Sequence, residues 1–133
     1  MKHSFAVAAL AALVVVGVSC GDNGPTGPVA GTLSVRLTSP NSGADAAIAL
    51  TIAGPAALTS VTPGPGLRLF QQPLGGATTR FALVGPLNSG AMILTIGVAD
   101  VSRVSAYGAT INGIAQPDYQ LRTLDGYGLT VVR

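Results

Sequence analysis

Residues that could carry chemistry are few in this chain of 133 residues. From residue 20 onward the sequence contains five Asp, six Arg and three Tyr, but no His, Lys, Glu or Trp. These absences exclude nucleophiles activated by His, Schiff bases on Lys and zinc sites with His ligands. We therefore expect a protein that is not an enzyme and that holds neither a cofactor nor a metal ion.

Two carboxylates acting together are the catalytic design that the composition still permits. A small hydrolase would have to pair Asp100 with Asp118 or Asp125, which all lie in or beside predicted loops. Asp is also a favoured turn residue, because its side chain accepts hydrogen bonds from nearby backbone N–H groups. We interpret the three aspartates as turn residues and predict no catalytic residue. No run of alternating Asp residues ending in Gly indicates a calcium loop.

Exposed aromatic rings are the other candidates, because they can stack on sugars or anchor a protein partner. Phe81 and Tyr107 occupy strand positions and are predicted to lie in the core, whereas Tyr127 is expected at its rim. Phe70 and Tyr119 lie in less regular segments. We predict that these two residues are exposed and contact a ligand.

The first nineteen residues predict a helical secretory signal peptide. Lys2 and His3 give a positive start, and residues 5–18 form an uncharged apolar run that ends in Ser19 and Cys20. The run is shorter than the roughly 20 residues that a membrane-spanning helix requires. Cys20 is the single cysteine of the chain, so an internal disulfide is impossible.

The segment Val16-Gly17-Val18-Ser19-Cys20 resembles the lipobox of bacterial lipoproteins. Val18 and Ser19 match that pattern, whereas Gly17 stands where the family prefers Leu. The resemblance implies cleavage before Cys20, acylation of its thiol and anchoring in a membrane of the cell envelope. The alternative is an ordinary signal peptide that is cut near Cys20 and leaves a free thiol. Because Gly21 rather than Asp follows the cysteine, the resemblance favours the outer membrane or the cell surface.

Residues 20–31 read as a Gly- and Pro-rich tether that would hold a folded domain away from the membrane. Without residues 1–19, six Arg and five Asp leave a side-chain net charge of +1. The arginines are scattered along the chain and form no basic cluster. We therefore expect no nucleic-acid partner.

Residues 32–133 predict an all-β domain, an antiparallel β-sandwich of about eight or nine short strands. Apolar and polar residues alternate within short runs, as in Leu33–Leu37 and Ile48–Ile52. Gly and Pro turn signals separate these runs, and the stretch 85–90, which opens with Gly85-Pro86, is interpreted as one such turn. The 18 Gly and 9 Pro exclude a helical bundle.

The end of the chain permits two interpretations. Asp125-Gly126 could join residues 119–124 to the last strand as a hairpin. Alternatively, residues 116–126 form a loop, and the strand at residues 107–115 pairs directly with the last strand. We favour the second arrangement because Pro117-Asp118 interrupts the alternation of apolar residues.

The order of features in residues 32–133 resembles cohesin-like and immunoglobulin-like β-sandwiches. A small-residue loop at Gly43-Ala44-Asp45 follows the first strand, and a Leu-x-Gly-Pro-Leu-x-x-Gly stretch from Leu83 to Gly90 precedes the strongest strand. Cohesins bind protein modules, and related sandwiches bind polysaccharides. The resemblance therefore implies an interaction or structural module with an envelope protein as its partner. The alternative is a carbohydrate-binding module of the same fold.

Overall fold

The computed structural model describes residues 27–133 and contains eight strands. Residues 1–26, with the predicted signal peptide, Cys20 and most of the tether, lie outside the described residues. The elements in chain order are β1 Gly31–Thr38, β2 Asp45–Ala53, β3 Ser60–Pro63, β4 Arg68–Gly75, β5 Thr78–Leu87, β6 Met92–Val98, a 3₁₀ helix Val101–Ala106, β7 Gly108–Ala115 and β8 Gly128–Val132. No helix among these elements is long and apolar enough to cross a bilayer.

The strands form two antiparallel four-stranded sheets, which confirms the predicted all-β sandwich. Sheet A has the order β3-β6-β1-β8, and sheet B has the order β4-β5-β2-β7. Consecutive strands β1 and β2 lie in different sheets, so the turn at residues 39–44 carries the chain from one layer to the other.

The core lies between the sheets and is built from the apolar positions that alternate along each strand. In β1, Leu33, Val35 and Leu37 are buried, while Arg36 between them is exposed. Burying one such aliphatic side chain stabilises the fold by roughly 1.5–3 kcal/mol. The predicted core positions Phe81 and Tyr107 are confirmed, since both are buried in this layer.

The turn predicted at residues 85–90 begins later than expected. Residues 88–90 form a turn, but β5 continues through Gly85-Pro86 to Leu87. Two residues of β5 stand opposite one residue of β2 at this point, which is a β-bulge. Gly85 has φ +144°, and a Cβ there would lie 2.6 Å from the Gly66 carbonyl oxygen. Gly and Pro therefore bend the strand here instead of ending it.

The predicted loop at residues 116–126 is confirmed, because no named strand lies between Ala115 and Gly128, but both predicted strand pairings are wrong. β7 pairs with β2 in sheet B, and β8 pairs with β1 in sheet A, so the two strands share no ladder. The connection 116–127 crosses from one sheet to the other, and Leu129 and Val131 of β8 are partly buried and pack against the core. The sequence did not predict the short edge strand β3, because it lies in a stretch rich in Gly and Pro.

The two ends of the sandwich differ. The chain enters beside the 3₁₀ helix, where the Val101 amide donates to the Val29 carbonyl oxygen at 2.8 Å. The connection 116–127 and the turn 39–44 lie at the opposite end, where Thr38 pairs with Gly128. The strands thus separate the entry of the chain from that connection by about 20 Å.

Candidate functional site

Strand register brings small residues together at the centre of the outer face of sheet B. Ala49 on β2 stands opposite Ala82 on β5 and, on its other side, opposite Gly113 on β7. One step along the strands, Ala47 pairs with Ala115. The alternate residues of these strands point into the core, so the small residues form the floor of an outward-facing depression.

This depression extends across the sheet as one continuous trough. One half, of about 200 Å³, lies beside Phe70, Gln72 and Arg80. The other half, of about 160 Å³, lies beside Leu121. Both halves include Ala49 and Ala82. We call this surface the apolar trough, with a floor of Ala47, Ala49, Ala82, Gly113 and Ala115 and with Phe70 and Leu121 as its two walls.

Phe70 forms the wall on edge strand β4, where it stands opposite Ala82. Its side chain is 52% exposed, as predicted. The guanidinium carbon of Arg68 lies 5.7 Å from the centre of the Phe70 ring, within the range of a cation–π contact. Arg68 therefore helps to hold the ring in place, whereas ligand contact by Phe70 stays a prediction.

Tyr119 is 90% exposed, but it lies at the opposite edge of sheet B from Phe70. It occupies the tip of a tight turn, in which its amide donates to the Gln116 carbonyl oxygen at 2.9 Å. Its φ of 70° falls in the left-handed region, which favours glycine. Phe70 in β4 and Tyr119 in the connection 116–127 thus lie at opposite edges of sheet B and do not form one site.

Leu121 is the residue that sequence reasoning missed. The turn at Tyr119 sends the chain back along β7, so that Leu121 bridges Ala115. Although 76% exposed, it lines the trough together with Ala115 and Gly113. The signal that could have revealed this reversal of the chain is Gln116-Pro117-Asp118, a turn pattern between two apolar positions.

A partly buried polar cluster around Asp45 fixes the connection that carries Leu121. Arg122 Nε donates to Asp45 Oδ1 at 2.7 Å, and the Tyr127 hydroxyl donates to Asp45 Oδ2 at 2.6 Å. Asn41 Nδ2 donates to the Tyr127 hydroxyl oxygen at 2.9 Å. The hydrogen bond with Asp45 raises the pKa of Arg122 above its ordinary value. Because its members satisfy one another, this cluster positions the backbone and offers no open site.

The three loop aspartates do not form a carboxylate pair that includes Asp100. Asp100 lies where the chain enters the sandwich, while Asp118 and Asp125 lie in the connection at the opposite end. Asp100 Oδ1 accepts hydrogen bonds from the Ser102 hydroxyl at 2.7 Å and from the Val29 amide at 3.3 Å. These bonds lower the pKa of Asp100. Asp118 accepts from the Gln120 amide, as expected of a turn residue.

A wider cleft of about 610 Å³ opens between β3 and the β4–β5 hairpin, at the side where the two sheets diverge. Its lining mixes apolar residues such as Leu58 and Val61 with uncharged polar residues such as Gln71 and Thr79. Within residues 27–133, no group of three or more Asp, His, Cys or Glu side chains could hold a metal ion. The cleft therefore has room for a ligand, but its lining contains no charged side chain.

Comparison of the chain with protein-family models, with curated proteins and with solved structures found no match. The likeness to cohesin-like sandwiches accordingly stays a prediction from the sequence.

Proposed function

We propose that this protein is a non-catalytic lipoprotein of the cell envelope, in which acyl chains on Cys20 anchor a β-sandwich that acts as an interaction module. The observation that carries the interaction role is the apolar trough on sheet B. Its two walls, Phe70 and Leu121, are large apolar side chains left exposed at the margins of one face. A depression lined mainly by apolar side chains, with a few polar groups at one end, has the composition typical of ligand sites.

The outer face of sheet A provides the contrast. Ser34 and Arg36 on β1 neighbour Thr95 on β6 and Thr130 on β8, while Met92 and Val132 are the apolar side chains paired with them. Polar residues at outward positions are typical of a solvated sheet face. The asymmetry between the faces therefore supports a partner on sheet B.

An anchor at Cys20 would hold the sandwich by the end at which β1 begins. The connection 116–127, with Leu121 and Tyr119, lies at the opposite end. In this orientation, the Leu121 end of the trough would face away from the membrane. The proposed anchor and the proposed binding surface are therefore geometrically compatible.

Metabolic labelling with a fatty-acid analogue tests the anchor. The wild-type chain should incorporate the label and sediment with membranes, whereas Cys20→Ala should do neither. Ser19→Ala is the matched control, since a small residue remains beside the cysteine, and it should be labelled. Equal labelling of wild type and Cys20→Ala would overturn the anchor.

Site-specific photo-crosslinking in the producing cells tests the trough. A photoreactive side chain in place of Ala82 should give a discrete crosslinked product in the envelope. The same group in place of Ser34, on the polar face of sheet A, is the control and should give none. Identical products from both positions, or none from Ala82, would contradict an interaction role for this face.

Carbohydrate binding is the second candidate, because Phe70 lies beside polar side chains that could bond sugar hydroxyls. Gln72 and Arg80 line the same half of the trough as the ring. Retention of the full chain on insoluble cellulose, chitin or peptidoglycan should then fall in Phe70→Ala and persist in Tyr119→Ala. Absence of retention on all three would eliminate this candidate.

A further inference from the structure

We propose that the apolar trough binds an extended acidic peptide segment of a partner protein, with an apolar side chain beside Leu121 and a carboxylate at Arg80. This inference rests on the proposed interaction role and specifies the chemistry of the partner.

The charge on the outer face of sheet B is the first argument. Arg68 and Arg80 are exposed on this face, and neither forms an ion pair within residues 27–133. None of the four aspartates in that range shares the face. Asp45 is buried in its ion pair with Arg122, and the other three lie in connections. The charged side chains on the strands of this face are thus both arginines, and they complement an acidic partner at the Phe70 half of the trough.

Arg80 is the arginine placed to meet a carboxylate. It lines the trough directly, and its cross-strand neighbours are the uncharged Gln72 and Thr51. Arg68 instead lies over the Phe70 ring, at 5.7 Å from its centre. A carboxylate at Arg80 could also accept a hydrogen bond from the Gln72 amide. This second bond would favour the carboxylate of Asp or Glu over an anion that contacts Arg80 alone.

The Leu121 half of the trough determines the second group of the ligand. It has a volume of about 160 Å³ and is lined by Ala47, Ile48, Ala49, Ala82, Gly113, Ala115 and Leu121. An engineered apolar cavity of about 150 Å³ is known to hold benzene, so this half has room for an aromatic or branched aliphatic side chain. Sugar hydroxyls would find no polar side chain there, which favours a peptide over a glycan.

Strand spacing determines how far apart the two groups lie. The floor beside Leu121 lies two strand spacings, roughly 10 Å, across the sheet from the strand of Arg80. It is also displaced by four residues, roughly 13 Å, along the strands, because Ala115 pairs with Ala47 whereas Arg80 pairs with Thr51. In an extended peptide, every second side chain points the same way, with about 7 Å between them. The two displacements together amount to roughly 16 Å, so we expect an apolar residue and an acidic residue four or six positions apart.

A second copy of this chain is a poorer occupant. Two faces packed together would place both copies of Arg68 and Arg80 in one interface with no acidic residue from either face. Burying charges without a partner opposes association. Self-association through the trough is thus an alternative outcome that the experiment must detect.

Selection of peptides from a display library of random linear octapeptides tests the proposal. The full-length lipoprotein is presented in phosphatidylcholine nanodiscs, which carry no net headgroup charge. Enriched peptides should combine Asp or Glu with an aromatic or branched aliphatic residue at the expected spacing. No enrichment, or enriched peptides without an acidic residue, would overturn the proposal.

Affinities of a selected peptide, measured by fluorescence anisotropy at low and high salt, assign the residues. Arg80→Gln should weaken binding about two- to fivefold at low salt and reduce its salt dependence, whereas Arg80→Lys should retain both. Arg36→Gln, on sheet A, is the charge control and should bind as wild type. Unchanged binding by Arg80→Gln would contradict the assignment of the carboxylate.

Filling the trough provides the independent variant. Ala49→Leu should abolish peptide binding, while Ser34→Leu on the polar face should not. If peptide binding is lost in Ala49→Leu but unchanged in Arg80→Gln, the acidic specificity is overturned and the interaction role remains intact. A concentration-dependent dimer that Ala49→Leu abolishes would overturn the peptide in favour of a second copy. Absence of a crosslinked product from the photoreactive group at position 82 in cells would instead refute the interaction role itself.

Discussion

The Asp45 carboxylate and the Arg122 guanidinium, 77 positions apart in the chain, form an ion pair with 2.7 Å between Oδ1 and Nε. The Asp45 side chain is completely buried, while Arg122 retains some contact with solvent. Because Arg122 directly follows Leu121, this pair fixes the backbone that supplies one wall of the apolar trough. Asp45, buried at the start of β2, thereby helps to position Leu121 in the connection 116–127 and so to shape the apolar trough.

The Tyr127 hydroxyl is expected to contribute to stability through the same cluster. Tyr127→Phe removes a donor to the buried Asp45 carboxylate and an acceptor for Asn41. Hydrogen bonds to charged groups contribute about 1.5–3 kcal/mol, so the free energy of unfolding should fall by that amount in chemical denaturation. Tyr119→Phe, at an exposed ring, is the control and should change it by less than about 0.5 kcal/mol.

The contribution of Asp100 should depend on pH. Hydrogen bonds from the Ser102 side chain, the Val29 amide and the Ser102 amide hold the pKa of Asp100 below its ordinary 3.8 in the folded protein. A lowered folded-state pKa adds stability above the unfolded pKa, and that stability is lost as the pH falls through the folded-state value. Asp100→Asn should therefore be less stable than wild type at neutral pH.

This difference should shrink in thermal melts as the pH is lowered from about 5 to about 2.5. Asp125→Asn, which removes a carboxylate from the turn at Asp125-Gly126, controls for the loss of a surface charge. A deficit in Asp100→Asn that is constant across this range would show that its carboxylate hydrogen bonds are not the cause.

Replacement of Tyr119 by glycine should stabilise the folded protein. Its φ of 70° is costly for a residue with a Cβ, and its side chain is 90% exposed and so contributes little packing. Tyr119→Gly should raise the free energy of unfolding by about 0.5–1 kcal/mol. Tyr119→Ala keeps the Cβ and should be close to neutral. Destabilisation by glycine would mean that the tyrosine ring supports the turn.

Gly54 should tolerate no side chain. A Cβ at this position would overlap the Tyr107 ring, whose nearest atom would be only 2.2 Å away. Tyr107 is buried in the core, so Gly54→Ala should destabilise the fold by about 1–3 kcal/mol through overpacking. Gly108→Ala, whose Cβ would meet open space, is the control and should be neutral in the same denaturation assay.

Strand content could be predicted because it depends on local patterns. Alternation at Leu33–Leu37 and Ile48–Ile52 marked the inner faces of β1 and β2, and the structure buries those positions. The exposure of Phe70 and Tyr119 followed from their irregular surroundings. The Gly85-Pro86 bulge did not, because Gly and Pro occur both in turns and in bulges, and only the neighbouring strand distinguishes the two.

The trough could not be predicted, because register between strands distant in sequence creates it. Ala49, Ala82 and Gly113 are unremarkable alone and become a floor only when β2 lies between β5 and β7. The same holds for Asp45, which the sequence placed in a loop and the structure buries against Arg122. Long-range pairing, rather than residue type, assigned these roles.

By itself, the amino-acid sequence determined the fold class and excluded most catalytic designs, because periodicity and composition are local and countable properties. The tertiary structure alone decided which strands share a sheet and which exposed side chains face one another. It separated Phe70 from Tyr119 and paired Phe70 with Leu121 across the trough, because strand register sets the distance between side chains from remote segments.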